Sequence, residues 1–224
     1  MGAGWSIEEL LLRGSMVITV VSLVFGLVFF RLFTPFPTLE ETKAREDDLF
    51  TITLSLIITV WLGKILTKFI LFIKNPQAVL AYPADKYVLY TALLMTGIYI
   101  VWQFKRKGDS RPWPDVLLSG LMVIIMGQFL YGFLSMILAL QPSKVIYLGF
   151  YAVLLVGLVL FRMKIPRVYL AFSLLSTWAL VHFVLGFFWT GSLFQFYVGP
   201  VFWGIVLIIG VIGMTFEKRR SISH

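Results

Sequence analysis

Residues Leu49 to Ile73 read LFTITLSLIITVWLGKILTKFILFI, an apolar run whose only charged members are Lys64 and Lys68. A helix rises 1.5 Å per residue, so this run is long enough to cross the ~30 Å of hydrocarbon in a bilayer. Working outward, six further apolar stretches of similar length follow the same logic: Ser15 to Phe33, Lys86 to Phe104, Pro114 to Leu140, Lys144 to Arg162, Arg167 to Trp189 and Leu193 to Thr215. They predict an all-α polytopic membrane protein with seven transmembrane helices.

Composition agrees with lipid as the solvent. With a mean hydropathy of +0.92, 59% hydrophobic residues and only 13% charged ones, the 224-residue chain has too little polar surface to coat a water-soluble globule. The net charge of +8 is dispersed over short connections between apolar runs, where it meets lipid headgroups, and it forms no clustered face of the kind phosphate recognition in nucleic acid requires. The chain contains no cysteine, which excludes disulfides, thiolate chemistry and iron–sulfur ligation. Only His182 and His224 are histidines, so no transition-metal site is expected, and no cofactor is implied. The last apolar run carries no lysine, so a retinal Schiff base there is excluded as well.

The basic residues set the threading. If the amino terminus is outside, the inward segments hold Arg31, Lys43, Arg45, Lys105, Arg106, Lys107, Arg111, Arg162, Lys164, Arg167, Lys218, Arg219 and Arg220. The outward segments hold only Arg13, Lys74, Lys86 and Lys144. Positive charge stays on the cytoplasmic side, which predicts N-outside and C-inside.

Residues 1–224 read as a single integral membrane domain, opened by a short interfacial segment over 1–14 in which Trp5, Leu11 and Leu12 lie beside Glu8 and Glu9. No small-residue cleavage site follows the first span, so it is expected to be retained as a helix. The polar stretch Thr34 to Asp48 is expected to be one loop. Asn75-Pro76, Tyr82-Pro83, Arg111-Pro112, Gln141-Pro142 and Ile165-Pro166 fall at expected helix ends, whereas Gly199-Pro200 falls inside the last span and predicts a kink. No internal repeat is visible, which argues against transporter folds built from duplicated halves.

A few polar groups sit within the apolar runs. Lys64 and Lys68 are four apart and share one helical face, and a lysine near the bilayer centre costs ~2.5–3.5 kcal/mol on insertion scales. Two readings fit: Lys68 snorkels to the outer surface while Lys64 pairs with a carbonyl, or both ammonium groups hold a lipid phosphate in the outer leaflet. His182 shares a helical face with Trp178, Gly186 and Trp189, which suits either a pocket or an ordinary interhelical hydrogen bond. Gln128, between Gly127 and Tyr131-Gly132, has the same two readings. Lys64, Lys68 and His182 are therefore candidates for holding a lipid headgroup, and Tyr90, Gln128, Tyr131 and Trp178 are candidates for lining a cavity.

Several short strings occur in a telling order. They are Asp47-Asp48-Leu49-Phe50, Lys74-Asn75-Pro76-Gln77-Ala78-Val79-Leu80-Ala81-Tyr82-Pro83, Trp102 to Gly108 with its Lys105-Arg106-Lys107, Asp115 followed by Gly127-Gln128, and Gln141-Pro142-Ser143 with Tyr147. In this order the chain resembles the bacterial prolipoprotein diacylglyceryl transferases. The resemblance implies a seven-helix, N-outside protein of the bacterial plasma (inner) membrane. It also implies an anionic, phosphatidylglycerol-like phospholipid as partner, from which that family moves diacylglyceryl to a lipoprotein cysteine. The departures lie where the family keeps its chemistry. Its His-Gly-Gly segment falls near Tyr90-Thr91-Ala92, and its Gly-Arg-x-Gly-Asn-Phe signature falls where this chain reads Phe129 to Ser135. No basic residue lies between Arg111 and Lys144, Asn75 is the only asparagine, and the late-helix arginine falls near His182.

The resemblance thus implies a membrane scaffold with a phospholipid site and leaves the family's catalytic residues without counterparts. The reading from another class is a non-catalytic binding or assembly subunit for a lipid, a lipoprotein or another membrane protein. A transporter would want polar residues along a continuous path, and those within the spans are sparse.

Overall fold

The computed structural model describes residues 7–76, 79, 85–107, 113–138, 145–189, 192–194 and 196–222. Among these residues eight helices and one two-stranded hairpin occur: α1 (Ile7–Phe33), α2 (Leu39–Thr67), α3 (Phe69–Lys74), α4 (Lys86–Lys107), α5 (Trp113–Ile137), α6 (Val145–Phe161), α7 (Arg167–Leu185), β1 (Ser192–Leu193), β2 (Phe196–Tyr197) and α8 (Pro200–Ile222). Three of the helices, α2, α5 and α7, are long and apolar enough to cross a membrane, and Val17–Phe33, Val145–Phe161 and Pro200–Phe216 are shorter apolar helical stretches. The contacts divide the chain into two compact units, residues 1–42 with 113–224 and residues 43–112. Tyr82-Pro83, Arg111-Pro112, Gln141-Pro142 and Lys144 lie outside the described residues.

Four expected boundaries are corrected. The interfacial segment does not stand apart, since from Ile7 onward its backbone belongs to α1. Most of the expected loop Thr34 to Asp48 is helical, because Thr38 opens α2. Its hydroxyl accepts from the Glu41 amide at 3.1 Å, and Glu40 and Glu41 place acidic charge in the first turn. Thr38-x-x-Glu41 is a capping-box spacing, and a capped amino end with favourable dipole charge starts a helix without an apolar run. The second span is interrupted at Lys68, whose φ of −122° and ψ of 34° end α2 before the six-residue α3 begins. The last span starts late: Ser192 to Tyr197 form a hairpin with Ser192 opposite Tyr197 and Leu193 opposite Phe196, and the helix begins at Pro200. Proline in the first turn loses no hydrogen bond and has its φ already set, so Gly199-Pro200 starts α8 and does not kink it.

In the first unit α5 is the central helix, packed against α1, α6 and α7, while α7 packs along α8. Small residues make these crossings close. A Cβ at Gly26 of α1 would strike the Val123 carbonyl of α5, and one at Gly127 would lie 3.4 Å from the Ser22 carbonyl oxygen. On α8, a Cβ at Gly213 would enter the Phe172 ring and one at Gly210 would lie 2.5 Å from Ser176 Oγ. In lipid, helices gain no hydrophobic energy by leaving solvent, so such close van der Waals contact carries much of their association.

At one end of this unit, Arg167 in the first turn of α7 lies 3.4 Å from Asp115 Oδ2 of α5 and 3.5 Å from Glu41 Oε2 of α2, with its guanidinium 5.2 Å from the Phe36 ring. A cation at a helix amino end opposes the helix dipole, and the two carboxylates answer it.

The second unit pairs α2 with α4. Thr59 and Thr96 hydroxyls meet at 2.7 Å in a buried contact, and a Cβ at Gly63 would lie 3.1 Å from the Val88 carbonyl oxygen. Thr51, Ser55, Thr59, Gly63 and Thr67 recur every fourth residue, which is the ridge that a close helix crossing needs. Asp85 caps α4, accepting from the Tyr87 and Val88 amides at 3.0 Å each.

Candidate functional site

The end of the first unit that carries the hairpin is built from aromatic and polar side chains. It is formed by the amino ends of α6 and α8 and the carboxyl ends of α5 and α7. His182, in the last turn of α7, is 1% exposed, and its Nε2 lies 2.6 Å from the Tyr151 hydroxyl of α6. Its ring lies nearly parallel to Trp203 of α8, with centroids 4.2 Å apart at 18°, and to Tyr147 of α6, at 5.2 Å and 25°. Trp178, one turn before His182, meets it edge-on at 5.9 Å and meets Trp203 at 4.9 Å. The imidazole is thus fixed by an aromatic box drawn from three helices.

Helix spacing explains the assembly. Tyr147 and Tyr151, like Trp178 and His182, are four apart, so each pair stacks along one helical face. Trp203 sits in the first turn of α8, where Pro200 fixes the helix start. The His182 face does not extend to Trp189: α7 ends at Leu185, and Trp189 lies beyond it, half exposed.

The box holds more hydrogen-bonding capacity than it uses. Among the described residues, buried Trp203 Nε1 and Tyr147 Oη have no hydrogen-bond partner. A buried donor left without an acceptor costs ~1–3 kcal/mol, so these groups suit the oxygen atoms of a guest. Among the described residues the box offers neutral donors and no carboxylate or ammonium. No lysine or arginine occurs between Arg167 and Lys218. Among the described residues no cluster of three or more histidine, aspartate or glutamate side chains could hold a metal.

The hairpin closes this end. Phe194, at the turn, has φ of 52°, a left-handed conformation that a bulky side chain rarely adopts. Its ring is buried against Tyr131 of α5, edge-on at 5.7 Å, and approaches Gly127 closely, in a cluster with Ile18 of α1. Burial of the ring offsets the backbone strain.

The candidates read from the sequence divide between the units. Trp178 and His182 share the box, and Tyr131 supports the hairpin. Gln128 is buried on α5, and its Nε2 has no hydrogen-bond partner among the described residues. Tyr90 is half-buried on α4 of the second unit. Lys64 is buried, with its ammonium 5.4 Å from the Trp61 ring centroid, and Lys68 pairs with Asp85 at 3.9 Å. Both lysines belong to the second unit and His182 to the first.

Sequence reasoning missed Tyr151, Trp203 and Phe194. The available signals were the Tyr147/Tyr151 spacing beside a buried histidine and the proline that starts α8.

The His182–Tyr151 contact makes a direct prediction. His182→Phe and Tyr151→Phe each leave a buried polar atom without its partner and are expected to cost ~1–3 kcal/mol. The double variant is expected to recover about 1 kcal/mol of their sum, read as a coupling energy in a thermal or denaturant cycle. Strict additivity would show that the two groups do not interact.

No protein-family model matches the chain, and it has no significant match among curated proteins or among solved structures.

Proposed function

We propose that this is a seven-span, N-outside protein of the bacterial plasma membrane. It binds a phospholipid in the outer half of its first unit and does not transfer the diacylglyceryl group. The observation that carries this reading is the donor-rich box at the hairpin end, where Trp203 Nε1 and Tyr147 Oη stand beside the Tyr151–His182 pair. The distribution of basic residues supports taking that end as the outer one. Tyrosine and tryptophan donors in an apolar wall suit the ester and glycerol oxygens of a lipid such as phosphatidylglycerol. The ordered motifs shared with the prolipoprotein diacylglyceryl transferases support a scaffold related to theirs. Transfer also needs cationic groups around the departing glycerol phosphate, an effect typically worth several kcal/mol. Among the described residues the box supplies none, and Lys68 is engaged by Asp85.

Lipid extraction and mass spectrometry of the purified protein test the binding. Co-purified phosphatidylglycerol is expected, with a several-fold loss in Tyr147→Phe/Trp203→Phe, which leaves an aromatic ring at each position and removes both donors. Retention equal to that of the unaltered protein would overturn the site. Thioether product from phosphatidylglycerol and a lipobox peptide would overturn the non-catalytic reading.

The cysteine-free chain also permits a clean topology test. Ser6→Cys is expected to react with an impermeant maleimide on intact cells, and Ser223→Cys only after permeabilisation. Both reacting from the same side would refute the threading.

A further inference from the structure

The second unit carries an exposed apolar feature built from other residues than the aromatic box. Leu93, Leu94, Gly97, Ile98, Val101 and Trp102 line an open groove of about 590 Å³ along α4. Leu94, Ile98, Val101 and Trp102 are all more than half exposed, and a Cβ at Gly97 would meet nothing within 4 Å. The groove is therefore a shallow channel in the helix surface, floored by a glycine and walled by apolar side chains.

Two properties of α4 say what fits there. The first is length. From Leu93 to Trp102 the groove runs about 14 Å at 1.5 Å per residue, close to one leaflet of a ~30 Å hydrocarbon layer. The second is charge. Positions 94, 98, 101, 102 and 105 follow the three- and four-residue steps of one helical stripe, and α4 continues through Lys107. In that register the apolar stripe runs into Lys105 and Arg106, the first two of three consecutive basic residues, just past the half-exposed indole of Trp102. An aromatic ring followed by cations is the order in which a helix leaves hydrocarbon and enters an anionic headgroup layer.

We propose that this groove is a binding site for one anionic phospholipid of the leaflet bordering the basic end of α4. An acyl chain lies over Gly97, and the phosphate lies at the basic carboxyl end of α4, which reads Lys105-Arg106-Lys107 in the sequence. That leaflet is the cytoplasmic one, a point that rests on the threading proposed above; the groove and its charge do not. The site is built from other residues than the donor-rich box, whose described residues include no lysine or arginine.

Quenching of Trp102 fluorescence by acyl-brominated lipids tests the site, with Trp102→Phe supplying the background from the other tryptophans. In symmetric bilayers, brominated phosphatidylglycerol is expected to quench Trp102 at least about five-fold more effectively per mole fraction than brominated phosphatidylcholine, since one cation beside an anionic surface is worth about that factor. Lys105→Gln/Arg106→Gln is expected to bring the ratio near one. Gly97→Leu, which fills the groove without a clash, is expected to weaken quenching by both lipids. Equal quenching by the two lipids in the unaltered protein, or selectivity that survives charge removal, would overturn the proposal. So would a groove covered by a second copy, seen as Leu94→Cys disulfide dimers with Trp102 insensitive to either lipid. In asymmetric vesicles, selectivity arising from the leaflet on the amino-terminal side would refute the threading and leave the lipid site standing.

Discussion

Trp203→Ala is expected to lower the unfolding free energy by about 3–5 kcal/mol, the range for deleting a fully buried tryptophan, and the apparent Tm in detergent by roughly 10 °C or more. Trp203 is completely buried in the first turn of α8. Its indole covers the face of His182 at 4.2 Å and meets the edges of Trp178 at 4.9 Å and Phe202 at 5.4 Å. Truncation leaves a cavity among rigid rings that belong to different helices, so collapse around it is limited. It also releases His182, whose orientation toward Tyr151 depends on being held between aromatic faces. Trp203→Phe retains most of the volume and is expected to cost much less. The pair of variants therefore separates packing from the indole donor invoked in lipid binding. Calorimetry or a thermal shift measurement decides it. A loss under about 1 kcal/mol for Trp203→Ala would mean that the box can reclose and that its geometry does not depend on this ring.

The helices were largely legible in the sequence because each apolar run is long and bounded by proline or charge. Lys86, Val145 and Arg167 begin α4, α6 and α7 within a residue of expectation. What escaped was local chemistry that competes with hydropathy. α2 begins at a Thr38/Glu41 cap and not at the apolar boundary ten residues later, and a hydropathy argument has no access to that hydrogen bond. The segment Leu193 to Gly199 is as apolar as a helix, yet the proline that follows starts α8 afresh and the chain before it turns through Phe194. The candidate site was half legible. A histidine and a tryptophan four apart marked one wall, but Tyr151 and Trp203 come from other helices, and period alone cannot say which faces meet. The paired lysines were visible as a charge anomaly, while the partner of Lys68 was not, because Asp85 stands seventeen residues on and already serves as a helix cap.

Gly26→Leu is expected to destabilise the first unit by about 3 kcal/mol, at the upper end of the usual cost of overpacking. A side chain at position 26 must enter space held by the Val123 carbonyl, and that atom is part of the α5 backbone near mid-helix. A flexible side chain could rotate away; a hydrogen-bonded helical carbonyl cannot, so α1 must move off α5 as a whole. Ser22 is buried at the same crossing, one turn away, and Phe30 is buried further along the same face. Separation would give up their contacts together with that of Gly26. Lipid offers no compensating hydrophobic force to hold the displaced helix, since acyl chains solvate its apolar face as well as α5 does. The expected readout is a fall in Tm of roughly 10 °C, together with new reactivity of Ser22→Cys toward a lipid-soluble maleimide in the Gly26→Leu background. Gly97→Leu supplies the contrast. Both substitutions replace glycine by leucine within an apolar helix, and both remove the same backbone entropy penalty, but position 97 has open space where position 26 has a carbonyl. Stability unchanged in both variants would show that α1 is held by something other than its close approach to α5.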